Sequence, residues 1–154
     1  MPPTAIETPY TLKDFLGREI GITEWFNVTQ DRICQFAEAT EDEQWIHVDR
    51  ERSRRQSPYG TTIAHGFLTL SLLNHLMGQA FQIREGVRLA VNYGVNRARF
   101  PAPVPADSKI RARVALQSWK ELPDSIEAVF LATVEGEKAG KPCCVAELIV
   151  RYYI

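Results

Sequence analysis

The sequence predicts a single α+β domain in which an antiparallel sheet wraps around one long, buried helix. Residues 63–81 place Phe67, Leu68, Leu70, Leu72, Leu73, Leu76, Met77, Ala80 and Phe81 in almost every direction around a helix. A surface helix needs only one apolar stripe, so this one is expected to be surrounded by protein. Later stretches alternate apolar and polar residues with a period of two, the mark of strands with two distinct faces. Their links are short and rich in turn formers, as antiparallel neighbours require. At 154 residues the chain fits one domain, 1–154, with a substantial core. No internal repeat, low-complexity segment or dividing linker is visible.

In chain order, residues 1–10 are proline-rich and expected to be peripheral. Residues 21–28 mix β-branched and aromatic types and read as a first strand. Thr29 then reads as a helix N-cap, and Arg32, Ile33, Phe36 and Ala37 follow with helical spacing as far as Ala39 and Thr40. A polar loop leads to the long helix, whose polar side is limited to Asn74, His75 and Gln79. After Gly86 the pattern becomes extended. Leu89, Val91, Tyr93 and Val95 form one row, and Ile110, Ala112, Val114 and Leu116 a second. Ile126, Ala128, Phe130, Ala132 and Val134 form a third, and Cys144, Ala146, Leu148, Val150 and Tyr152 a fourth. Pro101, Pro103 and Pro105 must leave ladder pairing, because proline supplies no amide donor.

Composition excludes several classes. A formal net charge of -1 gives no field to gather nucleic acid or an anionic membrane. No apolar run approaches the roughly 20 residues that span a bilayer, and the first residues carry no secretory pattern. Three cysteines, two of them adjacent, make neither a disulfide framework nor a metal spacing. A reducing, cytoplasmic setting is expected. His65 and His75 stand ten residues apart on one helix rather than at the four-residue spacing of paired ligands, so no metal is expected.

Two constellations carry chemistry. In Asp42-Glu43-Gln44-Trp45-Ile46-His47 a carboxylate precedes an imidazole within a short segment between helices. Such a pair can hold a water and divide proton transfers, as hydration of a conjugated enoyl thioester demands. Alone, the same residues equally fit a solvated or capping role. The second is Ile63-Ala64-His65-Gly66-Phe67-Leu68-Thr69, at the start of the long helix. Amides there lack intrahelical partners and favour negative charge, and Gly66 has no side chain to block approach of a thioester oxygen. A glycine required only for packing is the plainer explanation.

Taken together and in this order, these motifs resemble the MaoC-like dehydratases, which include the R-specific enoyl-CoA hydratases. The stretch Val91-Asn92-Tyr93-Gly94-Val95-Asn96-Arg97-Ala98-Arg99-Phe100-Pro101 resembles the nodulation-protein-N-like branch. The resemblance implies a hot-dog fold, an obligate homodimer or dimer of dimers, and an acyl-CoA site near the subunit interface. It implies Asp42 and His47 as the catalytic pair and Gly66 as the residue whose amide serves the thioester oxygen. His65, Arg97 and Arg99 are further candidates for contact with substrate, and Arg50, Arg52, Arg54 and Arg55 for its phosphates. The chain departs from the hydratase pattern at Glu41, where glycine commonly stands, and at Gln44-Trp45, where asparagine-proline does.

The activity implied is reversible hydration of a trans-2-enoyl-CoA to an (R)-3-hydroxyacyl-CoA, or of the same group on an acyl-carrier protein. No cofactor is expected beyond coenzyme A as part of the substrate. Two other functions suit such a chain: thioester hydrolysis on the same fold, and acyl-CoA binding or scaffolding without turnover.

Overall fold

The computed structural model describes residues 1–154. Its elements are β1 (Thr4–Ile6), a 3-10 helix (Thr11–Phe15), β2 (Glu19–Ile22), β3 (Phe26–Val28), α1 (Gln30–Thr40), α2 (Trp45–Val48), α3 (Arg50–Gln56) and α4 (Gly66–Ala80). There follow β4 (Phe81–Ile83), β5 (Leu89–Arg99), β6 (Ser108–Glu121), β7 (Ser125–Gly136) and β8 (Cys144–Tyr153). The main sheet runs β2-β6-β7-β8-β5, with β3 also on β6, and every pair in it is antiparallel. No helix is long and apolar enough to cross a membrane.

The long helix and three of the four alternating rows lie where their patterning places them. Leu68, Leu72, Leu73, Leu76, Met77 and Ala80 of α4 are buried against the rows of β6, β7 and β8. Phe130 on β7 is completely enclosed and stacks on Phe81, with ring centroids 5.2 Å apart. The helix is two to three residues shorter at its start than its apolar pattern, because Ile63 and Ala64 are drawn into extended pairing. The Ile63 amide donates to the Ile46 carbonyl at 3.0 Å and the Ala64 amide to that of Val104 at 2.8 Å. Phe81 then leaves α4 in an extended conformation to begin β4.

Four features differ from the sequence expectation. Residues 21–28 form two strands, because the Thr23 hydroxyl takes the Ala112 amide that a ladder carbonyl would otherwise receive, at 2.9 Å. The polar loop after α1 contains two short helices, and Asp49 caps the second by accepting the Arg52 amide at 2.9 Å. Part of the terminus expected to be peripheral is tied down: β1 pairs in parallel with β4, and Ile6 is buried in the core.

The fourth difference concerns β5. Its residues Ala90 and Asn92 lie opposite Tyr152 and Val150, whose side chains face the core, so Leu89 and Val91 point outward. Register shifts between Asn92 and Gly94 and between Val95 and Arg97 then change which residues face in. Val95 lies opposite Leu148 on the inner side, while Arg97 and Arg99 pair with Glu147 and Val145 on the outer one. As the last strand of the sheet, β5 leaves one edge without a partner.

Gly21 marks the closest approach of sheet and helix. A side chain added there would begin 2.5 Å from the Ala80 carbonyl oxygen, so only glycine lets β2 pass the end of α4.

Candidate functional site

Three chain segments build the site: the turn after α1, the short helix α2, and the start of α4. The Thr29 hydroxyl caps α1 by accepting the Arg32 amide at 3.1 Å. The helix ends at Thr40, and Glu41 turns the chain in the left-handed region with φ 60°. That conformation suits glycine, which accounts for the glycine common at this position among the hydratases the sequence resembles. Glu41 achieves the same turn under mild strain, and it delivers Asp42 with its carboxylate half in solvent.

His47, on α2, is 7% exposed. Its Nδ1 lies 2.7 Å from the Ile63 carbonyl oxygen. A carbonyl can only accept, so Nδ1 carries the proton and Nε2 keeps its lone pair in the neutral ring. Burial holds the His47 pKa below its usual 6.5; the Ile63 bond and the Asp42 charge oppose this, and His65 adds to it. The result is a neutral base with a defined free nitrogen.

His65 braces this pair. It is buried and stacks on His47, ring centroids 3.8 Å apart and planes 22° apart, with Phe36 on its flank at 4.9 Å. Its Nε2 donates to the Asp42 backbone carbonyl at 2.8 Å and sits 4.0 Å from the Asp42 carboxylate. One imidazole therefore touches both members of the pair, through the ring of one and the backbone of the other. Asp42, His47 and His65 gather within 4.8 Å, close enough to raise the question of a shared ion. Each histidine has one nitrogen committed to a carbonyl, which fixes its ring and leaves the other nitrogen free. A fixed imidazole with one free nitrogen beside a carboxylate suits proton transfer.

A cavity of about 550 Å³ joins Asp42, His47, His65 and Gly66, with Phe36 and Phe100 as apolar walls. Gly66 is the first residue of α4, so its amide lies at the unsatisfied end of the helix. The Phe100 ring packs where a Gly66 side chain would be, and an added Cβ would meet it at 3.0 Å. Close packing and access to the amide thus both call for glycine here.

Other sequence candidates lie elsewhere. Arg97 and Arg99 occupy the outer side of β5 and do not line this cavity. Arg50 is bound to Asp107 at 2.7 Å, and Arg52 lies over the Trp45 ring at 4.3 Å. Burial pushes the Cys143 thiol up and that of Cys144 to about 11, so neither is a ready nucleophile.

One positioning group was not evident in the sequence. Gln30, at the start of α1, donates from Nε2 to the His47 carbonyl at 2.7 Å, while its Oε1 accepts from the Thr62 hydroxyl. It thereby ties α2 to the segment that leads into α4. Its partners lie 17 and 32 residues away, and no local pattern marks them.

The MaoC like domain model matches residues 12–136. The chain belongs to the MaoC-like family. Among its relatives is 3-hydroxyacyl-thioester dehydratase Z of Mycobacterium tuberculosis (strain ATCC 25618 / H37Rv), 50% identical over 137 residues, which are 88% of this chain and 89% of that protein. Nodulation protein N of Rhizobium leguminosarum bv. viciae is 42% identical over 87% of this chain and 84% of its own. Among solved structures, the (R)-hydratase from A. caviae involved in PHA biosynthesis superposes with a TM-score of 0.70 at 20% identity, covering 87% of this chain and 96% of that one. The architecture of this MaoC-like chain is the hot-dog fold, with α4 as the helix that the sheet wraps.

Proposed function

We propose that the protein catalyses reversible hydration of a trans-2-enoyl thioester to an (R)-3-hydroxyacyl thioester. One observation carries the reading: Asp42, a neutral His47 with Nε2 free, and the amide end of α4 at Gly66 border a single cavity. The name of the 3-hydroxyacyl-thioester dehydratase relative, at 50% identity, supports it.

In this mechanism Asp42 and His47 hold a water against C3 of the enoyl group. As the water oxygen bonds to C3, its proton passes to Nε2 of His47. The C2–C3 π pair moves toward the thioester, and the developing oxyanion is met by the Gly66 amide. The dyad then returns one proton to C2, so that H and OH have added across the double bond. Dehydration is the same path reversed. No cofactor takes part; coenzyme A, or the arm of an acyl-carrier protein, is the handle of the substrate.

The decisive test follows loss of the conjugated enoyl absorbance and identifies the product. A 3-hydroxyacyl-CoA, with turnover reduced at least 100-fold in Asp42→Asn and in His47→Ala, is expected. Free thiol instead of hydroxyacyl product would point to hydrolysis, and binding without turnover to a scaffold.

The same reading includes a homodimer formed along β5. That strand has an unpartnered edge, and its outward Leu89, Val91 and Tyr93 are exposed, a combination that natural monomers avoid. Phe67, at the mouth of the cavity, is 68% exposed and stands against Phe100 just past the end of β5. A second copy seated there would cover the cavity mouth. The three unpaired cysteines support a reducing, cytoplasmic setting.

A further inference from the structure

His65 stands where a helix cap belongs, yet its side chain caps nothing. It precedes the first residue of α4 with extended backbone, the position from which a Ser, Thr, Asp or Asn side chain would take a free helix amide. The imidazole forms no such bond. Burial does not call for it either. His65 is 3% exposed, and its Nδ1 is the one buried side-chain nitrogen or oxygen in the chain without a hydrogen-bond partner. An orphaned acceptor costs stability that an apolar side chain of similar size would not. Neither the helix nor the core explains a histidine at this position.

The explanation lies 23 residues earlier, where the Asp42 carbonyl accepts from His65 Nε2 at 2.8 Å. No other hydrogen bond joins residues 41–43 to a distant part of the chain. On one side the Thr40 hydroxyl turns back to the Phe36 carbonyl, and on the other the His47 amide donates locally to the Gln44 carbonyl. Glu41, Asp42 and Glu43 are all exposed. A turn with so little burial and one long-range bond belongs to the least stable part of a fold. The same imidazole lies on His47 with centroids 3.8 Å apart. One side chain therefore ties the turn that carries the carboxylate to the ring that carries the base.

We propose that His65 is a positioning residue for the hydration reaction: a clamp that holds the Asp42 turn in register with the His47 ring, rather than a contact for substrate. The proposal rests on the thioester reading above. In that reaction a carboxylate on an exposed turn and a buried imidazole must share one water, so their spacing decides the rate. A misplacement of about 1 Å between reacting groups costs up to about 100-fold. The turn has no tether of its own that could hold such a tolerance, and His65 supplies it.

Two variants separate the two contacts. His65→Phe keeps a ring against His47 and loses the donor, whereas His65→Gln keeps an N–H near the Nε2 position and loses the ring. In His65→Phe, amide hydrogen exchange across residues 41–44 should quicken about tenfold or more. Its kcat on a trans-2-enoyl-CoA should fall about tenfold, with KM held within about twofold. In His65→Gln, exchange and kcat should both stay within about threefold of the parent. The acid limb of kcat/KM should there move up toward 6.5, because His65 lowers the His47 pKa and Asp42, which raises it, is the ionisable neighbour that remains. Exchange in His65→Phe within about twofold of the parent would overturn the clamp. A raised KM at unchanged kcat would make His65 a substrate contact and overturn it equally. Equal effects of both variants on exchange and kcat would reduce His65 to packing. If circular dichroism shows His65→Phe unfolded, His65→Met, also without a donor, takes its place. Failure of the parent to hydrate the thioester would remove the reaction on which the proposal rests, while the exchange comparison would still decide whether His65 holds the turn.

Discussion

Removing the Gln30 side chain tests whether the catalytic pair is held from behind. Besides a weak contact with Cys34 Sγ, Gln30→Ala deletes two hydrogen bonds, one to the His47 carbonyl and one from the Thr62 hydroxyl. Each contributes about 1 kcal/mol net, and leaving Thr62, which is fully buried, with an unpaired hydroxyl costs about 1 kcal/mol more. The sum is about 3 kcal/mol. For a chain of this size each kcal/mol lowers Tm by about 2–4 °C, so a fall of roughly 6–12 °C is expected by calorimetry. Because α2 loses its tether, kcat for enoyl hydration should fall about tenfold, equivalent to about 1.4 kcal/mol in the transition state. Gln30→Glu keeps an acceptor for Thr62 but faces a carboxylate toward the His47 carbonyl, so it should recover less than half of either loss. A Tm within 2 °C of the parent together with unchanged kcat would refute this account.

Three further outcomes follow from the same geometry. Because the folded His47 pKa lies below 6.5, the acid limb of kcat/KM should have its midpoint below 6.5, and a midpoint at or above that value would count against a buried neutral base. The linked stability has a definite sign. Between the folded pKa and 6.5 the unfolded chain binds the proton and the folded one does not, so stability falls as pH drops through that window and His47→Gln should flatten the fall. Glu41→Gly relieves a left-handed backbone at a small entropic cost in the unfolded chain; stability should change by no more than about 1 kcal/mol and kcat/KM by less than threefold, whereas a tenfold loss would give the Glu41 carboxylate a direct role. Val91→Lys/Tyr93→Glu places charge along the β5 edge and should shift sedimentation from dimer to monomer with loss of turnover; a dimer that persists would move the interface elsewhere.

The sequence made the interior legible where burial and period coincide. The rows of β6, β7 and β8 and the apolar girth of α4 are written residue by residue because each faces one fixed environment. On β5 the same alternation misled, since two register shifts change the inward parity within one strand. Arg97 and Arg99 face outward like Leu89 and Val91, away from the cavity. The division of residues 21–28 escaped notice because it depends on a Thr23 hydroxyl meeting an amide 89 residues away. At the site, Asp42, His47 and Gly66 stood out through the order of their motifs, and the structure gathers them around one cavity. Their supports, Gln30, Thr62 and Phe36, carry no local mark, because their significance arises only when α1, α2 and the start of α4 meet.

The way the early strands are stitched also governs how the protein is made. β2 and β3 find their ladder partner only in β6, and β1 finds its own only in β4. While a ribosome is still producing the first hundred residues, β2 and β3 have no strand to pair with. Their ladders therefore form late in synthesis, in step with the emergence of β6, and such pairing between distant stretches of chain is slow. Until then the apolar residues of these early strands stay uncovered, the kind of exposure that invites association with other chains.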